Sequence, residues 1–161
     1  MTAESASRDP RHQMDHNTIV VGHDGSLAAT AALAEALDLA RALGVHLVVV
    51  RAWSLVTAPR PSDRKFGFVP AFDEYAEAVR LALVDDVRST LEEFPDVQAE
   101  CRAVHAGAAT AKTLVELSDG ARMLVVGARG LGGLSGMLLG SVSEQCVRHA
   151  ACPVLVARPR S

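Results

Sequence analysis

Five short apolar runs, each separated from the next by a stretch of helical periodicity, leave this chain few folds to choose from. The runs are Thr18–Gly22, Val45–Trp53, Val97–Val104, Met123–Val126 and Val154–Arg158. Strands that are apolar on both faces and alternate with helices belong to parallel sheets covered by helices on both sides. The expected fold is therefore α/β, a Rossmann-like open parallel sheet of five strands. In the third run Gln98, Glu100 and Arg102 alternate with Val97, Ala99, Cys101 and Ala103, so one face is wet and the strand belongs at an edge. The spacing predicts helices over Ser26–Leu43, Ala71–Phe94 and Ala109–Ser118, and a fourth that starts at Ser141. Ala29, Leu33, Ala36, Leu37 and Ala40 form the apolar stripe of the first helix, and Gly44 stops it. The second carries Phe72, Ala76, Val79, Leu83, Val87 and Leu91. Pro59, Pro61 and Pro70 make Val56–Pro70 a loop.

The 161 residues amount to one domain, expected over 18–161 behind a polar, disordered tail at 1–17 that lacks a signal-peptide core. A hydrophobic content of 49% with a formal net charge of -3 describes an ordinary soluble chain. Neither a membrane-length apolar stretch nor a basic patch suited to nucleic acid stands out, so a cytoplasmic protein is expected, with neither membrane nor nucleic acid as partner. Three cysteines without Cys-x-x-Cys spacing suggest neither a disulfide framework nor a zinc site. His23, His46, His105 and His149 are too scattered for a local metal motif.

Chemistry concentrates after the fourth run. Gly127-Ala128-Arg129-Gly130 is followed by nine residues and then Gly140-Ser141. Glycines at a strand end allow positive φ or close approach of a ligand to the backbone. Ser141-Val142-Ser143-Glu144 fits a capping box with Ser141 as N-cap and Glu144 at N3. Free amides at a helix start attract anions, so the segment reads as a phosphate cradle. It is not a Walker loop, because no Lys precedes Ser141, and Ser135 stands where the dinucleotide fingerprint needs its third glycine.

Taken with Asp24-Gly25-Ser26 after the first run and the ending Cys152-Pro153-Val154-Leu155-Val156, the Gly-x2-Gly-x9-Gly-Ser pattern resembles the universal stress protein family in its ATP-binding branch, from about Thr18 to Arg158. The resemblance implies the strand order 3-2-1-4-5 and a ligand site where the first and fourth strands end side by side. It implies ATP as ligand, with Mg2+ as a candidate companion, and these roles: Asp24 near base and ribose; the backbone of Ala52 at adenine; Gly127, Gly130 and Gly140 as the cradle; Ser141 and Ser143 with hydroxyls and amides at phosphate, the amide of Val142 beside them. Arg129 is a candidate cation for phosphate or a solvated surface residue, and Asp24 taken alone suits a helix cap or Asx turn. A homodimer through Val154, Leu155 and Val156 is also implied. The family's usual Asp before the fourth strand is replaced by Ala121-Arg122. No Walker Lys and no paired acidic motif is present for phosphoryl transfer, so a nucleotide-dependent regulator of the stress response is expected rather than an enzyme. A slow ATPase or an adenylating enzyme is the alternative, and a stress protein with an empty site a third. Val56–Pro70, with Phe66 and Phe68, is a candidate cover for the ligand or a disordered loop.

Overall fold

A computed structural model describes residues 14–59, 70–130 and 139–159. The chain runs β1 (Thr18–Gly22), α1 (Leu27–Leu43), β2 (His46–Trp53), α2 (Phe72–Glu92), β3 (Ala99–His105), α3 (Thr110–Leu117), β4 (Met123–Gly127), α4 (Ser141–His149) and β5 (Val154–Ala157). All strands pair in parallel in the order β3-β2-β1-β4-β5. The fold class, the strand order and the edge position of β3 are those expected, and each observed element lies within two residues of its expected bounds.

The period-two geometry of the strands sorts the apolar runs into two cores. Ile19, Val21, Leu47, Val49 and Val125 face α1 and α2, where Leu33, Leu37, Leu83 and Val87 cover them. Val20, Val48, Val50, Leu124 and Val126 face α3 and α4, where they meet Ala111, Leu114, Leu117 and Cys146. The expected stripe of α1 is buried throughout. Ser26 caps that helix by accepting from the amide of Ala29 at 3.1 Å, and Gly44 ends it at φ 65°.

Three local readings are corrected. Phe72 is not part of the buried stripe of α2 but 50% exposed, because it sits in the first turn, where its ring packs against Trp53 and His105. Packing begins before Thr18, since Met14 is buried among the residues beneath α3 and α4 and Asp15 bonds the Thr18 hydroxyl. Most significant for the site, the N-cap of α4 is Gly140 and no side chain caps that helix. Ser141 is already helical, so the Ser141–Glu144 capping box does not form, and Glu144 pairs with Arg148 one turn on at 2.7 Å. All three cysteines are free thiols, and burial pushes Cys146 up to about 11. No helix among the described residues is long and apolar enough to cross a membrane.

Candidate functional site

In an open parallel sheet the winding direction reverses between the two strands that start the outward halves, and a crevice opens beyond their carboxyl ends. Here those strands are β1 and β4. A cavity of about 550 Å3 lies at that place. Every site residue expected from the sequence borders it: Asp24, Ala52, Gly127, Arg129, Gly130, Gly140, Ser141, Val142 and Ser143. The amino ends of α1, α3 and α4 open on the same space through Ser26, Thr110 and Ser141. The nine-residue span of the pattern crosses 131–138, which lies outside the described residues, as does the 60–69 part of the expected covering loop.

The glycines serve different ends, and none of the three takes positive φ. A Cβ on Gly127 would lie 2.7 Å from the backbone carbon of Ala28, so this glycine lets the end of β4 press against the first turn of α1. A Cβ on Gly130 would lie 2.6 Å from Oδ2 of Asp24, which places the Asp24 carboxylate against the glycine loop. At Gly140 the nearest atoms to a Cβ are the Ala128 oxygen and the Arg129 Cα, both at 3.5 Å, an ordinary contact. Of the three, only Gly140 has space for a Cβ among the described residues.

The start of α4 offers the anion-binding groups. The amides of Ser141, Val142 and Ser143 belong to the first turn and have no intrahelical acceptor, and the helix dipole adds partial positive charge. Gly140 differs from expectation, because its own amide is spent on the Ala128 carbonyl at 2.7 Å. Ser143 is buried and its hydroxyl donates to the Gly127 carbonyl at 2.5 Å, so its proton ties α4 to β4 instead of facing the cavity. Arg129 is exposed at the rim. Asp24 makes the Asx turn that its sequence context suggests, accepting from the amide of Ser26 at 2.9 Å.

Sequence reasoning passed over His23. It is 3% exposed, and its Nδ1 accepts from the Gly25 amide at 3.2 Å and lies 3.1 Å from Nη2 of Arg51. Burial, then the Arg51 charge, lowers its pKa to about 4 against weaker upward pulls from Asp24 and Asp86. The ring is therefore neutral, with its proton on Nε2, which has no partner among the described residues. No local motif could have revealed this, since its partner Arg51 is 28 residues away. Trp53 and Leu114 supply apolar wall. Among the described residues no cluster of three or more His, Cys, Asp or Glu side chains could hold a metal ion.

Similarity to known proteins agrees with this geometry. The sequence profile of the Universal stress protein family matches residues 16–158. The chain belongs to the universal stress protein family. A universal stress protein of Mycobacterium tuberculosis is 40% identical over 150 residues, covering 93% of this chain and 47% of its own length. One from Mycolicibacterium smegmatis is 37% identical over 142 residues, covering 88% and 46%. The chain thus spans about half the length of the curated relatives it matches. Among solved structures, a universal stress protein in complex with cAMP superposes with a TM-score of 0.65 at 26% identity, over 91% of this chain and 100% of that one. The Archaeoglobus fulgidus universal stress protein in complex with dAMP gives 0.62 at 25%, over 89% and 99%.

Proposed function

We propose that this universal stress protein binds an adenine nucleotide, ATP foremost, in the cavity beyond β1 and β4, and acts as a nucleotide-dependent regulator in the stress response rather than as an enzyme. The observation that carries the reading is the start of α4 beside Gly130 at the cavity, where no side chain among the described residues caps the first-turn amides and the helix dipole favours an anion. Solved relatives that hold cAMP and dAMP support an adenine ligand. A cavity of about 550 Å3 is of the size that small-molecule sites have. Asp24 and the Ala52 backbone would hold the nucleoside, and Ser141, Val142 and Ser143 would hold phosphate through their amides. Bound Mg2+ would offset phosphate charge, with its ligands from the nucleotide and water.

Trp53 is the sole tryptophan and borders the cavity, so titration with ATP is expected to change its fluorescence in a saturable way. No change in fluorescence together with no heat in calorimetry would contradict the reading. Turnover of ATP is expected to stay near the uncatalysed background; metal-dependent turnover clearly above it would favour the enzyme alternative, a slow ATPase or a nucleotide-processing enzyme.

The reading includes a cytoplasmic homodimer joined through β5. Among the described residues that strand pairs only with β4, and an open edge invites a second chain. Pro153 and Ala157 turn their carbonyls to β4, so by alternation Val154 and Val156 present their backbone groups to the open edge. Val156→Pro would remove a donor from that edge alone, and light scattering should then show monomer; an intact dimer would exclude this edge.

A further inference from the structure

We propose that Asp86, Arg51 and His23 form a positioning chain that sets nucleotide affinity by holding the turn that carries Asp24. The inference rests on the proposed nucleotide site and adds to it a residue on the surface of α2 that does not border the cavity.

The chain begins outside the site. Asp86 is 44% exposed on α2 and accepts from Nη2 of Arg51 at 2.8 Å. Arg51 projects from β2 one residue before Ala52, and its side chain is only 13% exposed. Its Nε donates to the His23 carbonyl at 3.0 Å, and its Nη2 lies 3.1 Å from the ring of the same residue. A guanidinium so engaged is not the phosphate cation that its place in the cavity wall suggests; it is a bracket between α2, β2 and the turn after β1. His23 passes the constraint on through Nδ1, which accepts from the Gly25 amide. Gly25 stands at φ 89°, and a Cβ there would lie 3.2 Å from Oδ2 of Asp86 and 3.6 Å from Nη2 of Arg51, so the bracket closes directly over the turn. Asp24 and Ser26, on either side of Gly25, both border the cavity.

Two properties follow from the chemistry. The contacts at Nδ1 require an unprotonated nitrogen, because a proton there would face both an N–H and a guanidinium. Arg51, Asp24 and Asp86 are the charged groups that bear on the ring from β2, from the turn itself and from α2. And because Asp86 does not border the cavity, its effect on affinity is exerted on the turn, through the bracket with Arg51 and through its own place over Gly25.

The test uses the full chain, with ATP as the probe in calorimetry and amide exchange of Gly25 as an independent readout. Asp86→Ala should weaken ATP roughly three- to tenfold, the range that one partly exposed intramolecular hydrogen bond controls, and should lower Gly25 protection while the far-ultraviolet spectrum stays unchanged. His23→Asn, whose side-chain oxygen can replace the Nδ1 acceptor, should keep affinity within about twofold, whereas His23→Leu should lose it as Asp86→Ala does. Affinity and Gly25 protection both unchanged in Asp86→Ala would overturn the proposal, as would equal losses in His23→Asn and His23→Leu. If the parent protein binds no adenine nucleotide, the nucleotide reading fails, and unchanged Gly25 exchange in Asp86→Ala would then overturn the chain separately.

Discussion

The two walls of the cavity differ in what they leave unsatisfied. The turn after β1 is wired within the protein: Gly25 donates to His23, Ser26 to Asp24, Ala29 to the Ser26 hydroxyl, and Arg51 brackets the whole. The start of α4 has the opposite character, with Gly140 as an N-cap that brings no side chain to the first-turn amides. One wall is preorganised without a ligand, and the other keeps donors that a ligand can satisfy. Binding sites built this way avoid ordering the scaffold at the moment of association.

If the β1 side is fixed by packing, the largest response should come from Gly127→Ala. Its Cβ would lie 2.7 and 2.9 Å from Ala28 backbone atoms, and such overpacking costs about 3 kcal/mol. Chemical denaturation measures it; a loss below about 1 kcal/mol would mean that α1 yields easily and that the wall is not rigid.

Acid should loosen the same wall. The His23 pKa is about 4 in the fold against 6.5 for the free side chain, so the unfolded chain takes up the proton first. The stability of the neutral ring is complete above pH 6.5, falls as pH drops toward 4, and amounts to about 3 kcal/mol at most. His23→Asn should remove that part of the pH dependence. An identical slope in parent and variant between pH 6.5 and 4 would show that His23 charges freely.

Smaller effects sharpen the contrast. Ser26→Ala removes a side-chain cap and should cost about 1 kcal/mol, while Ser141→Ala, which removes none, should leave stability unchanged. Glu144→Ala breaks only an exposed pair with Arg148 and should cost about 0.5 kcal/mol or less. A loss above about 1 kcal/mol would restore the capping box that the structure does not form.

The sequence made the scaffold legible because strand burial, helix stripes and stops are local patterns: the five apolar runs and Gly44 needed no distant partner to be read. The residues it singled out also line one cavity, since Gly127, Gly130 and Gly140 are spaced along a single segment. What it misread is tertiary. Ser141-x-x-Glu144 satisfies a capping pattern one residue too late, because the Gly140 amide is drawn to Ala128 and advances the helix start. His23 looked like a scattered histidine because Arg51 and Asp86, the latter 35 residues beyond Arg51, meet it only when β2 and α2 assemble. Ser143 read as a phosphate ligand from its place in the motif, yet its hydroxyl is bonded to Gly127, a contact that depends on how α4 docks on β4.

The central claim is that the start of α4 is the phosphate subsite, and Gly140 is the position that isolates it. Its backbone, at φ -74° and ψ 161°, suits any residue, and a Cβ meets nothing closer than 3.5 Å among the described residues, so Gly140→Val should keep the fold with a loss of about 1 kcal/mol, because Val is a poorer N-cap than Gly. Its side chain would fill the hollow between Arg129, Gly130 and the helix start. Calorimetric titration of that folded variant with ATP should show affinity reduced roughly tenfold or more, because phosphate can no longer reach the amides. Affinity equal to that of the parent would contradict the account.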